Sequence, residues 1–298
     1  MDNITWFPII GRAEITRNLI KYIPEVYVNP VTQLEENTIT ILGSSTFFEN
    51  GEISFVLNLK EINAKAELIF NDKTVFPSIH VGINTGGAFG IAKYKESKWE
   101  FPDMGGDSRN LAVNKDYVVK VTIDGSRINL YIDEVLVASA NEIIKKSQLK
   151  VLMRSDQEIV VRDFKVHSVK PKVFVVMQFS DEFNQLYSEV IKPVTETFGY
   201  ECIRADEFFT TGMILEDIIS SIKGASIIIA DITPNNPNVF YEVGYAHAIN
   251  KPTILLCGKT RDKLPFDVSS FRTLFYENTI AGKSAVEVKL KKYLESIG

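Results

Sequence analysis

Chemistry-bearing residues in this 298-residue chain gather in its last third, where polar side chains follow directly on short apolar runs. Gln178, Phe179 and Ser180 follow the run at 173–177. Arg204, Ala205 and Asp206 close the run at 200–204, and Thr210, Thr211 and Gly212 open the segment after it. Asp231, Ile232 and Thr233 follow the run at 226–230 and lead through Asn235, Asn236, Pro237 and Asn238 to Tyr241 and Glu242. Gly258 follows the run at 253–257, with Asp267 further on. If the runs are parallel strands, these are the positions that line a ligand crevice, because such sheets bind beyond the carboxyl ends of their strands. Asn236-Pro237 fits a helix start, with Asn as cap and Pro at the first helical position. Glu242 then lies one to two turns in, and its carboxylate leans back toward the strand ends. Gly244, two residues on, leaves room for close approach. From spacing alone, a solvated helix glutamate at Glu242 and a capping or turn carboxylate at Asp231 are as well supported as a functional pair.

Three other groupings carry less. Gly258-Lys259-Thr260 has the tail of a phosphate-binding loop, but position 253 is Thr where that motif needs Gly. Residues 85–90, TGGAFG, lack the G-x-G-x-x-G spacing and read as a turn. His80, His167 and His247 are far apart and form no metal-ligand pair. No metal and no resident cofactor is expected.

The elements that must hold these residues change character near residue 170. Before it the period is two: residues 53–59, 118–123, 128–132 and 159–166 alternate, with Asp124-Gly125 as a hairpin signal and Asn50-Gly51 and Asn71-Asp72 as further turns. An antiparallel β-sandwich is expected over 1–169, its opening segment supplying an edge strand. After it, continuous apolar runs alternate with helical periods at 181–198, 213–222, 239–249 and 285–297, with a fifth strand at 271–276. Pro193 should kink or break the first of these helices. That alternation predicts a parallel sheet covered on both faces over 170–298.

A 45% hydrophobic, 24% charged composition is globular, and the net charge of −5 argues against a general nucleic-acid or anionic-membrane binder. Cys202 and Cys257 are the only cysteines and sit in apolar runs, which suggests a reducing, cytoplasmic setting. No run approaches the ~18 apolar residues that span a bilayer.

The segment ADITPNNPNVFYEVGYAHAINKPTILL resembles the nucleoside 2-deoxyribosyltransferase family and the related bacterial TIR-like domains. FVVMQFSDEF, RADEFFTTGMILEDIISSIKGAS and LPFDVSSFRTLFYE support it in the same order. The resemblance implies a flavodoxin-like fold that breaks N-glycosidic bonds in nucleosides, nucleotides or NAD. It makes Glu242 the catalytic carboxylate and Asp231 its assistant at the base; Gln178, Phe179, Asp206, Gly212, Asn238 and Tyr241 are expected around the substrate from their places after the strands and at the helix starts. The transferases' D-x-G-x-x-x-E arrangement is replaced here by a stretch starting at Asn236, so their substrate contacts do not carry across. NAD hydrolysis is the leading expectation, with deoxyribosyl transfer and non-catalytic nucleotide binding as alternatives. The first half resembles concanavalin-like or laminin-G-like sandwiches through FFENGEISFVLNL, YVVKVTIDGSRINLYIDEVLVASA and LKVLMRSDQEIVVRDFKVHS. Such domains bind glycans or proteins, or serve structure alone. Only Arg204 and the Lys259, Arg261 and Lys263 loop offer local cations, so a homo-oligomer is expected to complete a phosphate site.

Overall fold

The structure, a computed structural model, describes residues 4–31, 33, 35–71, 77–207, 214–261, 264–269 and 271–297. The chain divides into two compact units, residues 1–123 with 127–169, and residues 170–298 with 124–126.

In the first unit, alternation of apolar and polar residues produces two seven-stranded antiparallel sheets. One runs Trp6–Ile10, Thr40–Phe48, Ser147–Arg154, Lys65–Phe70, Ser78–Ile83, Phe89–Lys95, Lys98–Gly105. The other runs Val135–Asn141, Arg127–Ile132, Asp116–Asp124, Gly51–Leu59, Ile159–Ser168, Leu19–Tyr22, Ala13–Ile15. Ile53, Leu57, Val119, Val121, Leu130 and Val161 of the second sheet share one core with Leu42, Leu68, Val81, Ile91 and Val151 of the first. Burying each such side chain is worth about 1.5–3 kcal/mol, and the two inward faces together make the sandwich. The opening segment does more than supply one edge: Trp6–Ile10 borders one sheet and Ala13–Ile15 the other. In the hairpin between Asp116–Asp124 and Arg127–Ile132, Asp124 stays in its strand and the loop is Gly125-Ser126, with Gly125 at φ +61°. Asn71 is left-handed at φ +60°, and Asp72 lies outside the described residues.

The second unit is built on five parallel strands, β1 (Lys172–Val176), β2 (Glu201–Arg204), β3 (Ile227–Asp231), β4 (Thr253–Gly258) and β5 (Thr273–Tyr276), in the order β2-β1-β3-β4-β5. Every residue of β3 is buried, as a strand covered on both faces requires. In β1, Val173 and Val175 enter one core with α1 (Asp181–Leu186), α2 (Lys192–Thr197) and α6 (Ile280–Ile297). Phe174 and Val176 enter a second with α3 (Ile214–Gly224), α4 (Pro237–Ala248) and the short α5 (Phe266–Ser269).

Two sequence expectations change here. Pro193 does not break its helix, because one π-helical turn, Tyr187–Ile191, joins α1 to α2 and takes up the irregularity that a missing N–H imposes. Helix α6 starts at residue 280 and not 285. The Thr279 hydroxyl accepts from the Gly282 N–H at 3.0 Å and caps the extra turn. Gly282 is needed there, since a Cβ would lie 1.9 Å from the Glu277 carbonyl oxygen.

Candidate functional site

The strand order reverses at β1, with β2 to one side and β3 to the other, and a cleft of about 640 Å³ opens at their carboxyl ends. Each wall follows from a local feature of sequence. The end of β1 gives an apolar floor and then Gln178 and Phe179. After β2 the 3₁₀ turn Ala205–Glu207 brings in Asp206. After β3 the Asn236 side chain accepts the Asn238 N–H at 3.0 Å, and Pro237 at the first helical position sends α4 along the cleft. Val243 and Ala246 face the sheet, and Asn238, Val239, Tyr241 and Glu242 line the cleft.

Glu242 is the chemically distinctive group. Burial in this wall pushes its carboxyl up to about 7, and it makes no hydrogen bond or ion pair among the described residues. A carboxyl held partly out of water with no cation beside it resists ionisation, and carboxyls shifted in this way cluster at functional sites. Phe179 and Tyr241, 53% and 52% exposed, line the same space. Asp206 is fixed by the Arg204 guanidinium, whose Nε donates to Oδ1 at 2.6 Å and Nη2 to Oδ2 at 2.5 Å. Arg204 is itself buried, 4.3 Å from the centroid of the Tyr187 ring and 5.3 Å from that of Phe179.

Asp231 stands apart from this group. It is buried at the end of β3 and is not part of the cleft lining. Its Oδ1 accepts the Thr233 N–H at 2.9 Å and its Oδ2 accepts the Tyr276 hydroxyl at 2.7 Å. The Thr233 hydroxyl in turn accepts the Gly258 N–H at 2.7 Å. Burial pushes the Asp231 carboxyl up, against the opposing pull of its hydrogen bonds from Thr233 and Tyr276. This network ties together the ends of β3, β4 and β5. The structure therefore places Asp231 where it shapes the strand ends, and not among the residues that line the cleft.

Gly212, with Thr210 and Thr211, lies outside the described residues. A Cβ at Gly244 would meet nothing within 4 Å, so this glycine makes no close backbone approach. The cations expected to serve a phosphate are engaged elsewhere. Lys259 pairs with Glu277 at 2.9 Å, and Arg261 donates to the carbonyls of Ile232, Thr233 and Pro234; Lys263 lies outside the described residues. Among the described residues no group of His, Cys, Asp and Glu can hold a metal ion. His80 meets Glu67, and His247 stacks on Phe271 at 4.1 Å.

Sequence reasoning missed the contribution of α3, which lines the cleft with Leu215, Asp217 and Ile218. The spacing of Leu215 and Ile218 marks an apolar helix face, but nothing local says that this face meets the end of β1. Among the described residues no helix is long and apolar enough to cross a membrane.

No family model matches the chain, and no curated protein matches it. Solved structures resemble parts of the chain. A carbohydrate binding module from Bacillus subtilis is 18% identical over 55% of this chain and 96% of its own, with a TM-score of 0.43. A protein of unknown function with a galectin-like fold, also from Bacillus subtilis, is 13% identical over 55% of this chain and 89% of its own, with a TM-score of 0.41. The TIR domain of a Toll-related receptor from Hydra magnipapillata is 13% identical over 42% of this chain and 96% of its own, with a TM-score of 0.35.

Proposed function

We propose that the second unit, a flavodoxin-like domain of TIR-like type, cleaves the N-glycosidic bond of NAD or a related nucleotide, with Glu242 as the catalytic carboxylate. The observation that carries this reading is the Glu242 carboxyl, half-buried without a partner among the described residues, in a cleft at the strand ends beside two exposed aromatic rings. When the bond from C1′ to the ring nitrogen breaks, its electron pair stays on that nitrogen and positive charge develops at the sugar. A carboxylate beneath C1′ stabilises the charge or captures it as an ester. Water then adds at C1′ and surrenders its proton, which a carboxyl titrating near 7 is suited to receive. Nicotinamide in NAD carries the positive charge before departure and leaves neutral, so it needs no acid at the base. That agrees with Asp231 standing off the cleft.

The purified full chain should release nicotinamide and ADP-ribose from NAD, and Glu242→Gln should lower the rate by roughly 10³-fold or more while far-UV circular dichroism stays unchanged. Absence of product from NAD in the wild type overturns the reading. Base exchange between a deoxynucleoside and a free base would indicate transfer, and ligand recovered intact would indicate a binding module. Because the role needs the ionised form, kcat/KM should rise with pH through about 7 and level above it. A fall over that range would make Glu242 an acid instead.

A further inference from the structure

A cluster with the parts of a chemical site lies within the sandwich unit, and it depends neither on the cleft of the parallel sheet nor on Glu242. In the strands Lys65–Phe70 and Ser78–Ile83 every second residue enters the core, Leu68 from one and Ile79 and Val81 from the other. Glu67, Ser78 and His80 are therefore turned to the opposite face of the same sheet. The pairing sets Glu67 opposite Gly82, and because Gly82 has no side chain, the diagonal from Glu67 to His80 is open. Three side chains join across it. Ser78 Oγ lies 3.2 Å from His80 Nε2, and His80 Nδ1 lies 3.0 Å from Glu67 Oε2.

The direction of these bonds is fixed by charge. Burial alone would push the Glu67 carboxyl up, but His80, the Lys65 ammonium at 2.9 Å and the Thr85 hydroxyl at 2.6 Å hold it below its usual range. An ionised carboxylate only accepts, so Nδ1 carries the proton. In the neutral ring Nε2 is then the acceptor, and the Ser78 hydroxyl donates to it. Nucleophile, base and the anion that orients the base stand in line, an arrangement that activates serine irrespective of fold. Glu67 and His80 are buried, whereas Ser78 is partly exposed, so the hydroxyl is the member that meets solvent.

Tyr94 stands directly opposite Ser78 on the next strand, and Trp99 opposite Tyr94 on the one beyond. Their rings lie 4.9 Å apart and remain 40% and 45% exposed. Lys65 Nζ and the Thr85 hydroxyl are turned to Glu67, so a developing oxyanion gains little from them. An acyl group reacts under those conditions when its leaving group is a weak base, as a phenolate is. An aryl ring is also what exposed tyrosine and tryptophan receive best.

We propose that Ser78, His80 and Glu67 form a catalytic site that hydrolyses aryl esters of carboxylic acids. Ser78 Oγ bonds to the acyl carbon as its proton passes to His80 Nε2. The bond to the aryl oxygen breaks with its electron pair on that oxygen, which takes the proton from Nε2 and leaves as a phenol. Water then attacks the acyl-serine and gives a proton to Nε2, and the carboxylic acid departs as that proton returns to Ser78 Oγ.

The test uses the purified full chain with p-nitrophenyl butyrate, and with a fluorophosphonate that forms a stable adduct on an activated serine. Ester hydrolysis should run roughly 10²-fold faster than in Ser78→Ala, and peptide mass spectrometry should find the adduct on Ser78. Equal rates in Ser78→Ala and wild type, or a wild type without adduct on Ser78, would overturn the proposal. The wild-type adduct decides this even where a variant fails to fold. A cooperatively folded His80→Gln protein should lose most of the labelling, and labelling at the wild-type rate would remove His80 as the base. Ethyl butyrate should be cleaved at least about tenfold more slowly than the aryl ester, and equal rates would refute the substrate class.

Discussion

Glu242 and Asp231 are both carboxyls that burial pushes upward, and they differ in what surrounds them. Glu242 stands without a partner among the described residues, so its raised value is a stability cost. In the unfolded chain it ionises near 4.5, while in the folded protein it keeps its proton up to about 7. Between these values the native state binds more protons, so this group lowers stability as pH rises through the window and holds the loss above it. Glu242→Gln removes the titration. The variant should be more stable than wild type above pH 7 by about 2 kcal/mol, allowing for partial solvent access, and the difference should vanish near pH 4. Urea denaturation at both values measures it, and a variant less stable than wild type at pH 8 would contradict the assignment. Asp231 accepts from Thr233 and Tyr276. Asp231→Asn removes one acceptor and should destabilise by roughly 1–3 kcal/mol. With substrate and temperature chosen to keep the variant folded, its turnover should fall far less than that of Glu242→Gln. Loss of turnover comparable to Glu242→Gln in a folded Asp231→Asn protein would restore Asp231 to the chemistry.

At the scale of single elements, what was legible depended on whether the cause was local. Asn236-Pro237 announced the start of α4 because a cap and a proline act within one turn. The same locality set Glu242 one to two turns into the helix, and the structure puts it in the cleft with Asn238. The part played by α3 was invisible, because which helix meets the end of β1 is decided by how the chain returns to the sheet. The π turn before Pro193 was also out of reach, since the sequence marks a lost donor and not the way the helix absorbs it. The sandwich hides a nonlocal feature of another kind. Glu67 on Lys65–Phe70 is 2% exposed and accepts the Thr85 hydroxyl at 2.6 Å, with Lys65 Nζ at 2.9 Å and His80 Nδ1 at 3.0 Å. Burial by itself would push this carboxyl up, but His80, Lys65 and Thr85 together outweigh it and hold the group below its usual range. A depressed carboxyl contributes stability above the unfolded value near 4.5 and loses it as pH falls through the folded one. Glu67→Gln should therefore cost roughly 2–4 kcal/mol at pH 7, and the deficit should shrink as the pH is taken below 4. Equal midpoints for wild type and variant at pH 7 would show that the network adds nothing to the fold.

At the scale of the whole molecule, each unit carries its own interior. Among the described residues the sandwich core draws on residues up to Val166, and the two cores of the parallel sheet on residues from Val173 onward. The last sandwich strand ends at Ser168 and β1 begins at Lys172, so the connection is the short stretch Val169-Lys170-Pro171. Independent cores of this kind predict that residues 170–298 fold when expressed alone, since the apolar faces of β1–β5 are covered by helices of the same unit. Tryptic release is a poor way to obtain the fragment, because a proline follows Lys170 and the connection is too short to enter a protease cleft; separate expression avoids both problems. The isolated fragment should show a single cooperative thermal transition and, on the proposed function, the same dependence of NAD cleavage on pH near 7 as the full chain. The described lining of the cleft comes from this unit, so the fragment's KM for NAD should stay within about threefold of the full chain's. A fragment that binds apolar dyes and melts without cooperativity would show that the parallel sheet depends on the sandwich for its core. A cooperatively folded fragment that has lost activity would instead show that the sandwich controls the chemistry, which separates a structural from a regulatory role for residues 1–169.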